Sequence, residues 1–488
     1  MGNIFSTNRS SLTIWPLIAS AFICSSALAN ELYREALRPQ FHFTSAKGYI
    51  NDPNGLVYVD GKYHLFFQAG PINAKRWGHA ISTDLIHWNQ LNDAISPANG
   101  HPAFSGCAVI DHDNTSGLQT GEAPPLVAVF TSWGEGQCLA FSNDQGMSWK
   151  RYEGNPVLKL RHDAKRSFPL SARDPHVMWY EQQQRWVMVL YENLNAQKLR
   201  GVSAHEQGGF SIFTSPDLKQ WTRQSHLSGF YVCPDVFELP IQGEKSKAWV
   251  AMDWAKYTTG TFDGTRFSPH GEALPLDYGS KDTLSANQTW KHLSDGRVIQ
   301  ICWIRGGKYP GMPFDQQHSF PTSLSLRRVA GRLRLCKQPI CEISQLYGKR
   351  EGLKQAALTE GQIEELGVGS HSYDLQLELS IFSEGQILFD VLGVPISLTQ
   401  HSISIRDRTV KLEQPLSSLR VLADATSLEV FVNDGLATMT FTTFPPDVPQ
   451  PVRLLMVKGE ANLREAKLFE VQTIWNFDHS PPKRARAQ

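Results

Sequence analysis

Beyond residue 55 the chain alternates apolar and polar positions with a period of two, and stretches with helical periodicity are scarce. Residues 56–59 and 62–67 flank Asp60-Gly61, a dipeptide that supplies the two positive φ angles of a type I′ hairpin turn. Further strands are predicted at 126–131, 177–180 with 186–191, 248–253 and 298–303. From 337 to 368 the pattern weakens into a polar, helix-tolerant stretch, with 360–366 the best helical candidate. After it, strands are predicted at 372–379, 386–391, 419–423, 428–432, 437–442 and 452–457, and Asn433-Asp434-Gly435 reads as another hairpin turn.

A repeat runs through the first set of strands. Ser82-Thr83-Asp84 leads to Trp88, Ser142-Asn143-Asp144 to Trp149, and Ser215-Pro216-Asp217 to Trp221, at intervals of 60 and 73 residues. Short strands repeating at that spacing predict a β-propeller. Each Asp would accept backbone N–H groups in a hairpin turn, and each Trp would pack between blades. The alternating strands of the second set predict a β-sandwich. The expected organisation is thus all-β: a signal segment at 1–29, a propeller at 30–336, a linker at 337–368, a sandwich at 369–477 and a disordered tail at 478–488.

Charge narrows the range of partners. In 488 residues Lys plus Arg number 47 and so do Asp plus Glu, which leaves no basic field for nucleic acid and points to an uncharged substrate or partner. Residues 11–29 form an apolar run behind Arg9 that ends in Ala27-Leu28-Ala29, the pattern of a secretory signal cut before Asn30. Pro16 and the serines interrupt it, whereas a membrane span needs about 20 apolar residues, so a secreted or periplasmic protein is expected. Six cysteines follow: Cys107, Cys138, Cys233, Cys302, Cys336 and Cys341. Export permits disulfides, and Cys336 and Cys341 are the one pair near in sequence. No Cys-x-x-Cys or His-x-x-x-His occurs, so neither a metal site nor a cofactor is expected. Asn114-Thr115-Ser116 and Asn287-Gln288-Thr289 fit the glycosylation pattern.

Candidate chemistry sits in Asn51-Asp52-Pro53-Asn54-Gly55, Arg173-Asp174-Pro175 and Cys233-Pro234-Asp235, which fall one or two blades apart. A propeller gathers the first strand of every blade round one axis, so these segments would converge there. Paired carboxylates are the apparatus of sugar cleavage.

The chain resembles glycoside hydrolase family 32, the invertases, levanases and inulinases. The likeness is carried in order by Gln40-Phe41-His42, Asn51-Asp52-Pro53-Asn54-Gly55, Phe66-Phe67-Gln68, Trp77-Gly78-His79, Phe104-Ser105-Gly106, Arg173-Asp174-Pro175 and Cys233-Pro234-Asp235. It continues through Phe262-Asp263-Gly264, Asp277-Tyr278-Gly279, Tyr309-Pro310-Gly311-Met312-Pro313, Leu428-Glu429-Val430-Phe431 and Asn433-Asp434-Gly435. The resemblance implies a five-bladed β-propeller followed by a C-terminal β-sandwich, acting on β-fructofuranosides by a retaining mechanism. It implies Asp52 as nucleophile and Asp174 as transition-state stabiliser, with Arg173 holding its neighbourhood. Asn51, Gln68, Trp77, Phe104 and Ser105 would line the fructose subsite.

The family's acid/base Glu stands directly before Cys-Pro, and here that position is Val232. Valine can neither give nor take a proton, and general acid–base help is typically worth about 10² to 10⁴ in rate. On a regular strand Tyr231, Cys233 and Asp235 would face away from Val232, and Glu238 would stand roughly 20 Å off. Other departures are Ala69-Gly70-Pro71 where the family carries Tyr or His followed by Asn-Pro, Thr283-Leu284 behind Asp282 in place of an aromatic pair, and Thr322 in place of Arg. The expectation is an exported hydrolase of sucrose, levan or inulin, impaired or redirected by Val232. The alternative is a non-catalytic fructan- or sucrose-binding protein that kept the pocket. A sialidase-like propeller would need an arginine cluster and a tyrosine nucleophile, which the sequence does not assemble.

Overall fold

The computed structural model describes residues 32–159, 172–194, 208–281, 283–368 and 370–475; the signal segment, the tail and Asp282 lie outside the described residues. Two compact units are distinguished, 1–36 and 37–488, and the described part of the first is a turn segment at 32–36. The second unit is nearly all strand, and its helical content among the described residues is three 3₁₀ turns.

Up to Pro339 the described strands form five separate sheets of mainly antiparallel strands that follow one another in the chain, save that Phe314–Asp315 joins the first sheet in parallel beside Gly48–Val59. Their leading strands are Gly48–Val59, Ala103–Ile110, Ala172–Tyr180, Asp235–Pro240 and Leu284–Trp290. The Asp60-Gly61 hairpin forms as expected, with φ of 49° and 73°. Hydrogen bonds tie the sheets in sequence. Gly106 N–H donates to Asn54 Oδ1 at 3.3 Å, Asp174 N–H to Thr131 Oγ1 at 3.0 Å and Thr289 Oγ1 to Asp235 Oδ2 at 2.8 Å. The ring of His176 meets the Val236 carbonyl at 3.1 Å, and the fifth sheet returns to the first through Trp290 Nε1–H on His64 O at 3.0 Å.

The Ser-x-Asp repeat ends the third strand of each of the first three sheets, Arg76–Ser82, Gly136–Ser142 and Gly209–Ser215. In all three, the Ser Oγ donates to the Asp carboxylate and the Asp N–H donates back to that Oγ. The carboxylates then accept backbone N–H groups from Ile86 and His87, from Ser148, and from Lys219 and Gln220. Asp263 makes the same turn in the fourth sheet without the serine, accepting from Thr265 and Arg266. The tryptophans fill seams between sheets: Trp88 stacks on Trp290 at 6.0 Å, and Trp149 meets Phe66 edge-on at 5.4 Å.

From Tyr347 onward two six-stranded sheets face each other across one apolar core that includes Leu375, Leu377, Phe389 and Val430. The supposed linker is a correction. Residues 347–359 and 363–368 are strands, and 360–366 holds no helix. Both strands lie at sheet edges, where exposed polar side chains replace the alternation of a half-buried strand. All six described cysteines are free: Cys107, Cys138, Cys233, Cys302 and Cys336 are buried and Cys341 is exposed. Asn287 is buried with its amide on Asp253 O, which closes that glycosylation pattern in the folded chain.

Candidate active site

Four of the five leading strands break register near their start, between Ile50 and Pro53, Ala103 and Gly106, Arg173 and His176, and Ser285 and Gln288. Such a bulge re-aims the side chains around it. The fourth leading strand begins only at Asp235, and Cys233 before it has a φ of 56°, close to the 59° of Asp174 and the 50° of Ala286. A proline follows in Asp52-Pro53, Asp174-Pro175 and Cys233-Pro234, and of these three residues Asp174 and Cys233 have a positive φ.

Asp52 accepts from Ser105 Oγ at 2.7 Å on one oxygen and from Asn51 Nδ2 at 2.9 Å on the other. Its carboxylate is half-buried and already oriented by both partners. Asp174 is buried, with Arg173 Nε at 3.4 Å and Cys233 N–H donating at 3.3 Å. The Cys233 thiol lies between the two acids, 3.7 Å from Asp174 Oδ2 and 4.0 Å from Asp52 Oδ2. This corrects the alternation expected at 231–235: the positive φ of Cys233 turns its sulfur into the site.

Burial pushes the Asp174 carboxyl up, Arg173 pulls it down and Asp52 raises it again, leaving it near 6. Burial and the two carboxylates hold the Cys233 thiol well above its ordinary value, so it remains a neutral donor. The Arg173 guanidinium packs over Tyr191 and Tyr231 at 5.1 and 5.6 Å, which fixes its fork beside Asp174. Val232 is 3% exposed and packs with Tyr191, Cys233, Ala286 and Trp303. Phe104 is half-buried against Trp133, and its carbonyl accepts the indole N–H of the fully buried Trp77 at 2.8 Å. Gln68 is buried beside it and donates to Ala103 O at 3.1 Å, while its Oε1 meets no protein donor.

All nine residues singled out from the sequence therefore belong to one neighbourhood, with Trp77 and Gln68 a layer behind the two aspartates. Lys75 and Tyr49, which the sequence did not single out, adjoin Asn51. The Lys75 ammonium donates to Asn51 Oδ1 and lies 4.8 Å from the Tyr49 ring. Among the described residues no cluster of His, Cys, Asp and Glu could hold a metal ion.

Several of the quoted motifs serve another purpose. Asp277 accepts from Gly279, Thr438 and Thr440, binding the segment before the fifth sheet to the C-terminal sheets. Gly435, at φ 77°, lies against Lys337 so closely that a Cβ would strike the Lys337 backbone.

The chain matches the model of the glycosyl hydrolases family 32 N-terminal domain over residues 42–339 and that of the family 32 C-terminal domain over 353–475. A levanase from Bacillus subtilis (strain 168) is 31% identical, over 95% of this chain and 75% of its own. An extracellular exo-inulinase from Aspergillus awamori is 27% identical, over 91% of this chain and 96% of its own. The crystal structure of exo-inulinase from Aspergillus awamori is similar at a TM-score of 0.79 and 26% identity, over 91% of this chain and 100% of that one. With both domain models matched in order along one chain, this protein belongs to glycosyl hydrolase family 32.

Proposed function

We propose that this chain is an exported β-fructoside hydrolase that works through a covalent fructosyl intermediate on Asp52. The observation that carries the reading is the placement of Asp52 and Asp174, from the first and third sheets, on either side of one thiol. A paired-carboxylate site is preorganised there, with the nucleophile's lone pairs directed by Ser105 and Asn51. Asp52 attacks the anomeric carbon, the leaving-group oxygen departs, and water then cleaves the fructosyl ester. Asp174, steered by Arg173, accepts hydrogen bonds from fructose hydroxyls and stabilises the positive charge that develops on the ring.

In this reading the five sheets are the blades of one propeller, which runs to about Pro339, and the sandwich starts at Tyr347. Export follows from the signal pattern at 11–29 and from likeness to an extracellular relative. Val232, apolar and walled in by Tyr191 and Trp303, supports a second reading, a sugar-binding protein that forms no adduct.

Incubation with nitrophenyl fructoside, which needs no protonation of its leaving group, separates the two. The first reading expects nitrophenol release and a peptide carrying one fructosyl unit at Asp52, both lost in Asp52→Ala. Saturable sugar binding without release or adduct would establish the second.

A further inference from the structure

We infer that Lys75 is the proton donor and acceptor for the leaving group, doing the work for which Val232 has no chemistry. The inference rests on the retaining reading above. The sequence departs from Tyr or His with Asn-Pro at Ala69-Gly70-Pro71, and Lys75 follows four residues later. The Lys75 carbonyl accepts the Ala103 N–H at 2.8 Å, which pins it to the strand that carries Phe104 and Ser105. Its ammonium donates to Asn51 Oδ1, and the other end of that amide donates to Asp52 at 2.9 Å. The amine is therefore two hydrogen bonds from the carboxylate that attacks.

Lys75 is 6% exposed, and it lines a cleft of about 640 Å³ together with Tyr49, Ala69, Gly70, Pro71 and Ile72. That volume is in the range of sites for small ligands, and Tyr49 and Ile50 on its wall directly precede Asn51 and Asp52 along the strand. The residues that open the cleft are the small ones standing in the altered segment. The groups facing the amine are Tyr49, Asn51 and Asp52 on the leading strand and Arg76 beside it, the last paired with Asp93 at 2.6 Å. Burial lowers the Lys75 ammonium, Arg76 adds to the fall and Asp52 opposes it, leaving it near 8. An acid of that strength is charged at neutral pH and still yields its proton to an alkoxide. The other candidates are poorer: the Tyr49 phenol is pushed up to about 12, and the Cys233 thiol is spent on Asp174.

In the first step the Asp52 oxygen bonds to the anomeric carbon as the glycosidic C–O bond breaks, and the departing oxygen takes a proton from the Lys75 ammonium. In the second step the neutral amine takes a proton from water, the water oxygen bonds to the anomeric carbon, and Asp52 is released. No other reactant is consumed.

The test compares sucrose or levan with nitrophenyl fructoside in the full chain, in Lys75→Met and in Lys75→Arg. Arginine keeps the charge and the contact with Asn51 yet holds its proton too tightly to give it up. Both variants are expected to lose about 10² to 10⁴ in kcat on the natural sugars. Both should still give a burst of nitrophenol with the fructosyl adduct accumulating. Adding Val232→Glu to Lys75→Met should restore turnover of sucrose, which no purely positional role would allow. Wild-type kcat/KM on sucrose should fall as pH rises through about 8. An equal fall on both substrate types, no fall in Lys75→Arg, or a wild type that forms the adduct but never cleaves a natural fructoside would overturn the inference and leave the Asp52 reading standing. A wild type that forms no adduct removes both.

Discussion

Asp174 carries its negative charge under strain from burial, the largest influence on it, with Arg173 opposing and Asp52 adding to the rise; the result lies near 6. In the proposed reading Asp174 stabilises a cationic transition state and must be ionised. Hydrolysis of nitrophenyl fructoside should therefore fall as pH drops through about 6, read as kcat/KM. Arg173→Gln removes the largest influence that lowers this pKa, so the limb should move to higher pH. A limb that stays in place would show that another group governs it. At this scale Asp52, Asp174, Arg173 and Ser105 were legible as candidates because each sits in a motif shared with the family, and the leading strands bring those motifs together. Cys233 and Lys75 were not legible. Period-two alternation assumes regular strands, whereas Cys233 has a positive φ and Lys75 lies in the connection between the strands that end at Ala69 and begin at Arg76.

Among elements, the Ser-x-Asp turns were readable because their hydrogen bonds are local, made within about five residues of the Asp. Asp84 accepts from Ile86 and His87 backbone N–H groups at 3.0 and 2.8 Å and from the His87 ring at 2.8 Å. Burial would raise its carboxyl, but these bonds outweigh it and hold the group far below the ordinary carboxylate range. Asp84→Ala should cost on the order of 1–3 kcal/mol in urea unfolding, since it strands two backbone donors, while leaving the KM for nitrophenyl fructoside unchanged. Unaltered stability would mean that solvent serves those donors as well. The edge strands at 347–359 and 363–368 escaped notice for the opposite reason. Lys349, Arg350, Glu351 and Lys354 protect an exposed edge, and that protection erases the apolar alternation by which a strand is recognised.

At the scale of the whole molecule, His42 joins the start of the chain's second unit to the C-terminal sheets. Its ring nitrogens meet Asp424 at 2.8 Å and Glu429 at 2.6 Å, both fully or almost fully buried. Asp424 also accepts the Gln40 and Phe41 N–H groups at 2.7 and 3.0 Å, and Glu429 accepts Phe320 N–H at 3.0 Å. One imidazolium thus clasps the segment before the first sheet and the turn beside the fifth to a single C-terminal sheet. Burial alone would lower the His42 pKa, but the two carboxylates outweigh it and raise it to about 9 from 6.5. Because the folded value is the higher, the folded state binds the extra proton. The contribution is complete below pH 6.5 and is lost as pH climbs through about 9. By linkage that shift is worth on the order of 3 kcal/mol. Melting temperature measured from pH 6 to 10 should fall more steeply in the wild type than in His42→Gln, which begins lower and has no such proton to lose. Parallel curves would show that His42 holds the two parts together as a neutral spacer and that its charge contributes nothing.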